Sequence, residues 1–90
     1  MIFFETRKHI GKDQIEITKH VIGNTTPENL ILAIELKYEH TKKMEHHQTI
    51  LFVDENQMLY EHEWTINNAK TYEDKIEVAK SIIDGSFKLW

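Results

Sequence analysis

Apolar and polar residues alternate one by one through several stretches of this chain, and a period of two is the pattern of a half-buried β-strand. The first two stretches, "FFETRKHI" and "DQIEITKHVI", are separated by the Gly-Lys pair at 11–12, which suits a tight hairpin turn. A two-residue turn there sets Phe4 opposite Lys19 and Thr6 opposite Ile17, with one mainly apolar face. The sequence therefore predicts an N-terminal β-hairpin.

The next segment, "TPENLILAIELKYEH", carries two conflicting signals. Thr26 followed by Pro27 is typical of a helix start, yet the residues after it alternate. As a strand, the segment presents its larger apolar residues on one face: Leu30, Leu32, Ile34, Leu36 and Tyr38. As a helix, the same segment has no polar face. The alternation favours a strand, preceded by one helical turn at 26–29, and a helix remains the alternative.

Two further strands are predicted in "HHQTILFVDENQMLYEHEWTI", around a turn at 54–57 that pairs Val53 with Met58. A turn at Lys42 and Lys43 brings the preceding strand alongside, so that the central strands share one apolar face. Their opposite face also carries apolar side chains, which are Ile31, Ala33, Ile50, Phe52 and Leu59. A fully solvated sheet face would be more polar than this.

The clearest helix lies near the C-terminus, where Thr71 with Asp74 forms a start signal and Gly85 a stop signal. An apolar stripe runs between them, formed by Tyr72, Ile76, Val78, Ala79, Ile82 and Ile83. A chain of 90 residues suits one domain. We therefore predict a single α+β domain over residues 1–90, with a five-stranded, mostly antiparallel meander sheet and one C-terminal helix packed on one face.

Composition narrows the possible functions. A net charge of -4 with a single arginine disfavours phosphate binding, and the absence of cysteine excludes disulfides and thiolate metal sites. The N-terminal "MIFFETRKHI" becomes charged too early for a signal peptide or a membrane span, so we expect a cytoplasmic protein without a membrane partner. Abundant Ile, Lys and Asn are typical of AT-rich genomes, such as those of low-GC bacteria and their phages.

Catalytic motifs are missing from the sequence. Ser81 and Ser86 are the only serines and lack a nucleophile motif, and the three glycines are isolated. Glu61 and Glu63 lie two apart on a predicted strand, where both are expected to face solvent. We therefore predict a non-enzymatic protein without a cofactor.

The leading functional hypothesis is a small protein-interaction module of the inhibitor or adaptor type, which binds itself as a homodimer or binds another protein. The contact is expected through the sheet face, an edge strand or the C-terminal tail. The hypothesis depends on apolar residues without an assigned burial partner, which are Ile31, Ile50, Phe52, Leu59 and Trp90.

Two alternatives remain open. Sheet aromatics can stack single-stranded bases, and Lys37, Lys42 and Lys43 form the local basic group for such a nucleic-acid site. The histidine-rich "YEHTKKMEHH" suggests a metal site, for which His47 and His62 would be neighbours on adjacent strands. The predicted hairpin divides its histidines between two faces and supplies no third ligand, which favours the interaction module.

Overall fold

The structure is a computed structural model that describes residues 1–43 and 47–86. Its elements are β1 (Ile2–His9), β2 (Ile15–Gly23), α1 (Pro27–Lys43), β3 (His47–Val53), β4 (Asn56–Gln57), α2 (Tyr60–Asn67) and α3 (Tyr72–Asp84). The strands form one antiparallel sheet in the order β2-β1-β3-β4. None of the helices in the described ranges has the length and apolar character needed to cross a membrane.

The predicted α+β class and antiparallel sheet are confirmed, but the prediction of five meander strands with a single C-terminal helix is wrong. Over residues 1–43 and 47–86 the sheet has four strands, and the same ranges contain three helices. The strand order also differs from a meander, because α1 carries the chain from β2 across to β3 and leaves β1 between them.

The first correction concerns α1, which replaces the strand predicted after Pro27. The Thr26 hydroxyl caps the helix by accepting a hydrogen bond from the Asn29 amide at 3.2 Å. The helix packs against the sheet on one side and α3 on another, and its buried residues are Leu30, Ile31, Ala33 and Ile34. Because two sides of this helix are covered, it does not need a wide polar face. The alternation of apolar and polar residues was therefore compatible with a helix as well as with a strand.

The second correction concerns the hairpin after β3. Asp54 and Glu55 both have positive φ, 49° and 72°, as in a two-residue type I′ turn, so Val53 pairs with Asn56 rather than with Met58. Strand β4 ends after two residues, and the predicted strand at 58–64 is instead the approach to α2 and most of that helix.

The third correction concerns the N-terminal hairpin, which forms in a register one residue away from the predicted one. Phe4 lies opposite His20 and Thr6 opposite Thr18. Because side chains alternate along a strand, this single step moves Ile17 from the predicted apolar face to the opposite face of β2.

Helix α3 forms over the predicted segment, but the prediction that it packs on a face of the sheet is wrong. The Thr71 hydroxyl accepts a hydrogen bond from the Asp74 amide at 3.1 Å, and Gly85 ends the helix in the left-handed region at φ 80°. The helix packs against α1 and α2, forming a layer outside them. The main core lies between α1 and one face of the sheet, where Ile2, Phe4 and Leu51 are buried.

The β3–β4 turn is also tied to the N-terminus. The Met1 ammonium donates to the Asp54 carboxylate at 2.6 Å, and the Thr25 hydroxyl donates to the same oxygen. Hydrogen bonds from the N-terminal ammonium and then from Thr25 lower the pKa of Asp54 below its usual range. The ionised carboxylate therefore holds together three segments that are distant in sequence.

We expect Asp54→Asn to lower the melting temperature at neutral pH, and this difference from the parent chain to shrink as the pH falls below about 4. A carboxyl group with a lowered folded pKa stabilises the fold above its unfolded pKa, and this contribution is lost as the pH falls through the folded value. Asparagine tolerates the positive φ of this position, so the turn itself should persist.

The measurement is a series of thermal melts from neutral to acidic pH. Asp13→Asn, in the exposed turn between β1 and β2, is the control and should follow the parent profile. A melting-temperature difference for Asp54→Asn that stays constant down to acid pH would contradict the role of its ionised form.

Candidate interaction surface at the sheet edge

The helices leave one face of the sheet uncovered, which we call the open face. Directly paired residues share a face, so the register assigns its members. They are Phe3, Glu5, Arg7 and His9 on β1, Ile15, Ile17, Lys19 and Val21 on β2, Gln48, Ile50 and Phe52 on β3, and Gln57 on β4. The open face therefore mixes apolar side chains with three charged ones.

Side chains at the centre of the open face cover one another. The rings of Phe3 and Phe52 stack with centroids 4.9 Å apart, and the Lys19 ammonium lies 4.2 Å from the centre of the Phe3 ring. Arg7 donates to the Glu5 carboxylate at 3.2 Å. As a result Phe3 is only 7% exposed, although none of the described helices covers it.

Strand β2 differs from this centre. Its apolar side chains on the open face are more than half exposed: Ile15 53%, Ile17 56% and Val21 58%. It is an edge strand of nine residues, and within the described ranges no strand pairs with its outer side. Exposed apolar surface and unpaired backbone groups therefore coincide on β2.

Comparisons with protein-family models, curated proteins and solved structures found no match. The function of the chain therefore has to be inferred from the chemistry of its own surfaces.

The residues predicted for protein interaction are dispersed in the structure. Ile31 is a buried residue of α1, whereas Ile50 and Phe52 are half-buried on the open face. Leu59 is exposed just before α2, and Trp90 lies outside the described residues. The structure thus brings Ile50 and Phe52 together and separates them from Ile31 and Leu59.

Sequence reasoning missed the three exposed residues of β2. The signal was present, because Ile15, Ile17 and Val21 are all odd-numbered positions of one strand and must share a face. The register prediction directed Ile17 and Val21 into the core, and the actual register directs them to solvent.

The lysines predicted for nucleic-acid binding occupy two different environments. The Lys37 ammonium is bound by the Glu63 carboxylate at 2.6 and 2.9 Å. Lys42 and Lys43 are exposed in the last turn of α1. A role for these residues in binding single strands stays a prediction.

The histidines predicted as metal ligands lie on different kinds of element. His47 begins β3, where its backbone pairs with Lys8, and His62 lies on α2 rather than on a neighbouring strand. The strand pairing that supported this prediction is therefore absent, and the site itself stays a prediction. Within residues 1–43 and 47–86, no group of three or more His, Cys, Asp or Glu side chains could hold a metal ion.

Two other histidines do approach each other. His20 of β2 stacks on Phe4 at 4.6 Å between centroids, and the His40 ring of α1 lies 5.3 Å from His20. The Thr6 hydroxyl lies 3.2 Å from Nε2 of His20. This cluster joins the edge strand to α1 and fixes the face of β2 that points towards the helices.

Proposed function

We propose that the protein is a small non-enzymatic interaction module that self-associates by pairing β2 with β2 of a second copy. The observation that carries this proposal is the coincidence, on one nine-residue edge strand, of unpaired backbone groups and three apolar side chains that are each more than half exposed. Pairing two such strands antiparallel would join the two sheets into one of eight strands.

The sequence of β2 supports self-pairing in one register. With Thr18 opposite Thr18 of the second copy, Ile15 lies opposite Val21, Glu16 opposite His20 and Ile17 opposite Lys19. Threonine pairs, aliphatic pairs and pairs of a carboxylate with an imidazole are all favourable across strands. Shifting the centre one residue towards the C-terminus would instead oppose two copies of Lys19, and like charges directly opposite are destabilising.

Lysines on edge strands commonly prevent pairing with a second strand, but Lys19 is not placed to do so. Its ammonium lies over the ring of Phe3, towards the middle of the sheet. The outer side of β2 therefore keeps its backbone groups accessible to a second strand. The apolar area at this seam is small, so we expect a dissociation constant in the micromolar range.

The double variant Ile17→Lys with Val21→Lys tests the proposal, since four added ammonium groups along a dimer seam would repel one another. The matched control is Leu32→Lys with Leu36→Lys, which replaces two exposed aliphatic residues on α1 and adds the same charge. Light scattering after size exclusion, over a range of loading concentrations, measures the molar mass of each variant. Circular dichroism confirms that each one is folded.

We expect the parent and the α1 control to rise with concentration above the chain mass of 10.8 kDa, and the β2 variant to remain at it. A β2 variant that associates like the parent would exclude β2 as the seam. A parent chain that is monomeric at every concentration would overturn self-association and leave β2 open to a strand from a different protein.

A further inference from the structure

A cleft of about 420 Å³ opens on the helix side of the sheet, where the C-terminal half of α1 and the start of α2 meet β3. Its walls include Tyr38, Thr41, Thr49 and Tyr60, with Lys37 and Glu63 between them. This volume lies in the range of small-molecule sites, which combine apolar walls with a few placed polar groups. β1 separates β3 from β2, so the cleft is remote from the proposed dimer seam.

The charges in the cleft neutralise one another. Lys37 donates to both oxygens of Glu63, at 2.6 and 2.9 Å, and the two side chains are only 16% and 5% exposed. A charged ligand would lose hydration on binding. Among the described residues that line the cleft, it would meet no unpaired group of opposite charge. The cleft therefore favours an uncharged ligand.

The hydroxyl groups of the cleft offer both donors and acceptors. Thr41 donates to the Lys37 carbonyl oxygen at 2.8 Å, so in its 3.0 Å contact with Thr49 the proton belongs to Thr49. The Thr49 oxygen keeps its lone pairs for another donor. Burial raises the pKa of the Tyr38 phenol, with smaller contributions from Tyr60 and Glu63, so this phenol stays protonated and able to donate at neutral pH.

We propose that this cleft binds an uncharged ring molecule of nucleoside or monosaccharide size. Both classes share the chemistry that the walls can recognise: ring faces that pack on the phenol rings of Tyr38 and Tyr60, and a rim of hydroxyl or amide groups that exchange hydrogen bonds with Thr49 and the Tyr38 hydroxyl. Ligands of this size bind a shallow site with dissociation constants on the order of 0.1 to 1 mM.

Ligand-observed NMR titration of the full chain tests the proposal with three probes: adenosine, glucose and adenosine monophosphate. Saturation transfer is expected to adenosine or to glucose, and the stronger of the two identifies the class. Adenosine monophosphate should bind more weakly than adenosine, because the one lysine among the described lining residues, Lys37, is already paired with Glu63. Failure of both neutral probes to bind, or clearly tighter binding of the monophosphate, would overturn the proposal.

A matched pair of tyrosine variants locates the binding. Tyr60 and Tyr72 are both exposed and are the first residues of α2 and α3, but only Tyr60 lines the cleft. We expect Tyr60→Ala to weaken binding of the probe by on the order of tenfold, through loss of ring contact, and Tyr72→Ala to leave it unchanged. Equal binding by the parent and Tyr60→Ala would overturn the assignment to this cleft.

Discussion

Replacing Glu63 with alanine is expected to destabilise the fold by about 3 kcal/mol, because the change leaves the Lys37 ammonium largely buried without its carboxylate. The Glu63 side chain is 5% exposed and accepts two hydrogen bonds from Lys37 across the α1–α2 contact. Because Lys37 is partly exposed, water can reach its unpaired ammonium in the variant. The expected destabilisation therefore lies at the lower end of the range for breaking a buried ion pair. Urea unfolding followed by circular dichroism measures the change.

Glu61→Ala is the control, since Glu61 is exposed on the same helix and should change stability by less than about 0.5 kcal/mol. Lys37→Met combined with Glu63→Leu removes both charges and should recover most of the loss, because an apolar pair of similar volume can replace a buried ion pair. Equal destabilisation by Glu61→Ala and Glu63→Ala would show that the ion pair does not hold α2 in place.

Ile34→Ala is expected to cost about 2 to 5 kcal/mol, the usual range for deleting a fully buried aliphatic side chain and leaving a cavity. Ile34 is 1% exposed on α1, whereas Leu32, two residues earlier, is 45% exposed. Leu32→Ala should therefore change the free energy of unfolding by less than about 1 kcal/mol. The same urea titration distinguishes the two variants.

This pair of substitutions also distinguishes helix from strand. Residues two apart share the same face of a strand, so a strand would bury Ile34 and Leu32 alike and give both variants a similar cost. On a helix the two side chains point about 200° apart around the axis, so Ile34 can be buried while Leu32 stays exposed. Equal large losses for Ile34→Ala and Leu32→Ala would contradict α1.

The wrong prediction for residues 27–43 has a definite physical cause. Alternation of apolar residues identifies a strand only when the competing helix would have to solvate one of its faces. Because α1 lies between the sheet and α3, it buries Leu30 and Ile34 of the alternating set and leaves Leu32 and Leu36 exposed, so it has no separate polar face. The correct local signals were Thr26 as N-cap and Pro27 at the first helical position, and the structure uses both.

Helix α2 was harder to predict. It has eight residues, and its N-cap position is occupied by Leu59, which makes no side-chain capping hydrogen bond. Apolar and polar residues alternate from Met58 to Trp64, and no helix start signal in the sequence contradicted the strand that this pattern predicts. The helix instead depends on tertiary contacts, among them the ion pair between Glu63 and Lys37, which the strand prediction had placed in solvent.

By contrast, α3 and the existence of both hairpins could be predicted, since caps and turn residues act within a few residues of sequence. Register depends on the geometry of the turn. An error of one residue placed Ile17 and Val21 in the core, so the exposed apolar surface of β2 was not predicted. The prediction placed Ile50 and Phe52 on the sheet face opposite the core, but it assumed the wrong neighbouring strand. It expected the segment after Pro27 beside them, whereas that segment forms α1 and β1 pairs with β3.

Amide hydrogen exchange of the parent chain, measured at low and high protein concentration, tests the edge-pairing proposal most directly. Self-association through β2 should slow the exchange of outward-facing amides at residues 15–23 as concentration rises, and should leave the amides of α3 unchanged. Exchange at residues 15–23 that is independent of concentration, even when the molar mass increases, would contradict β2 as the seam between copies.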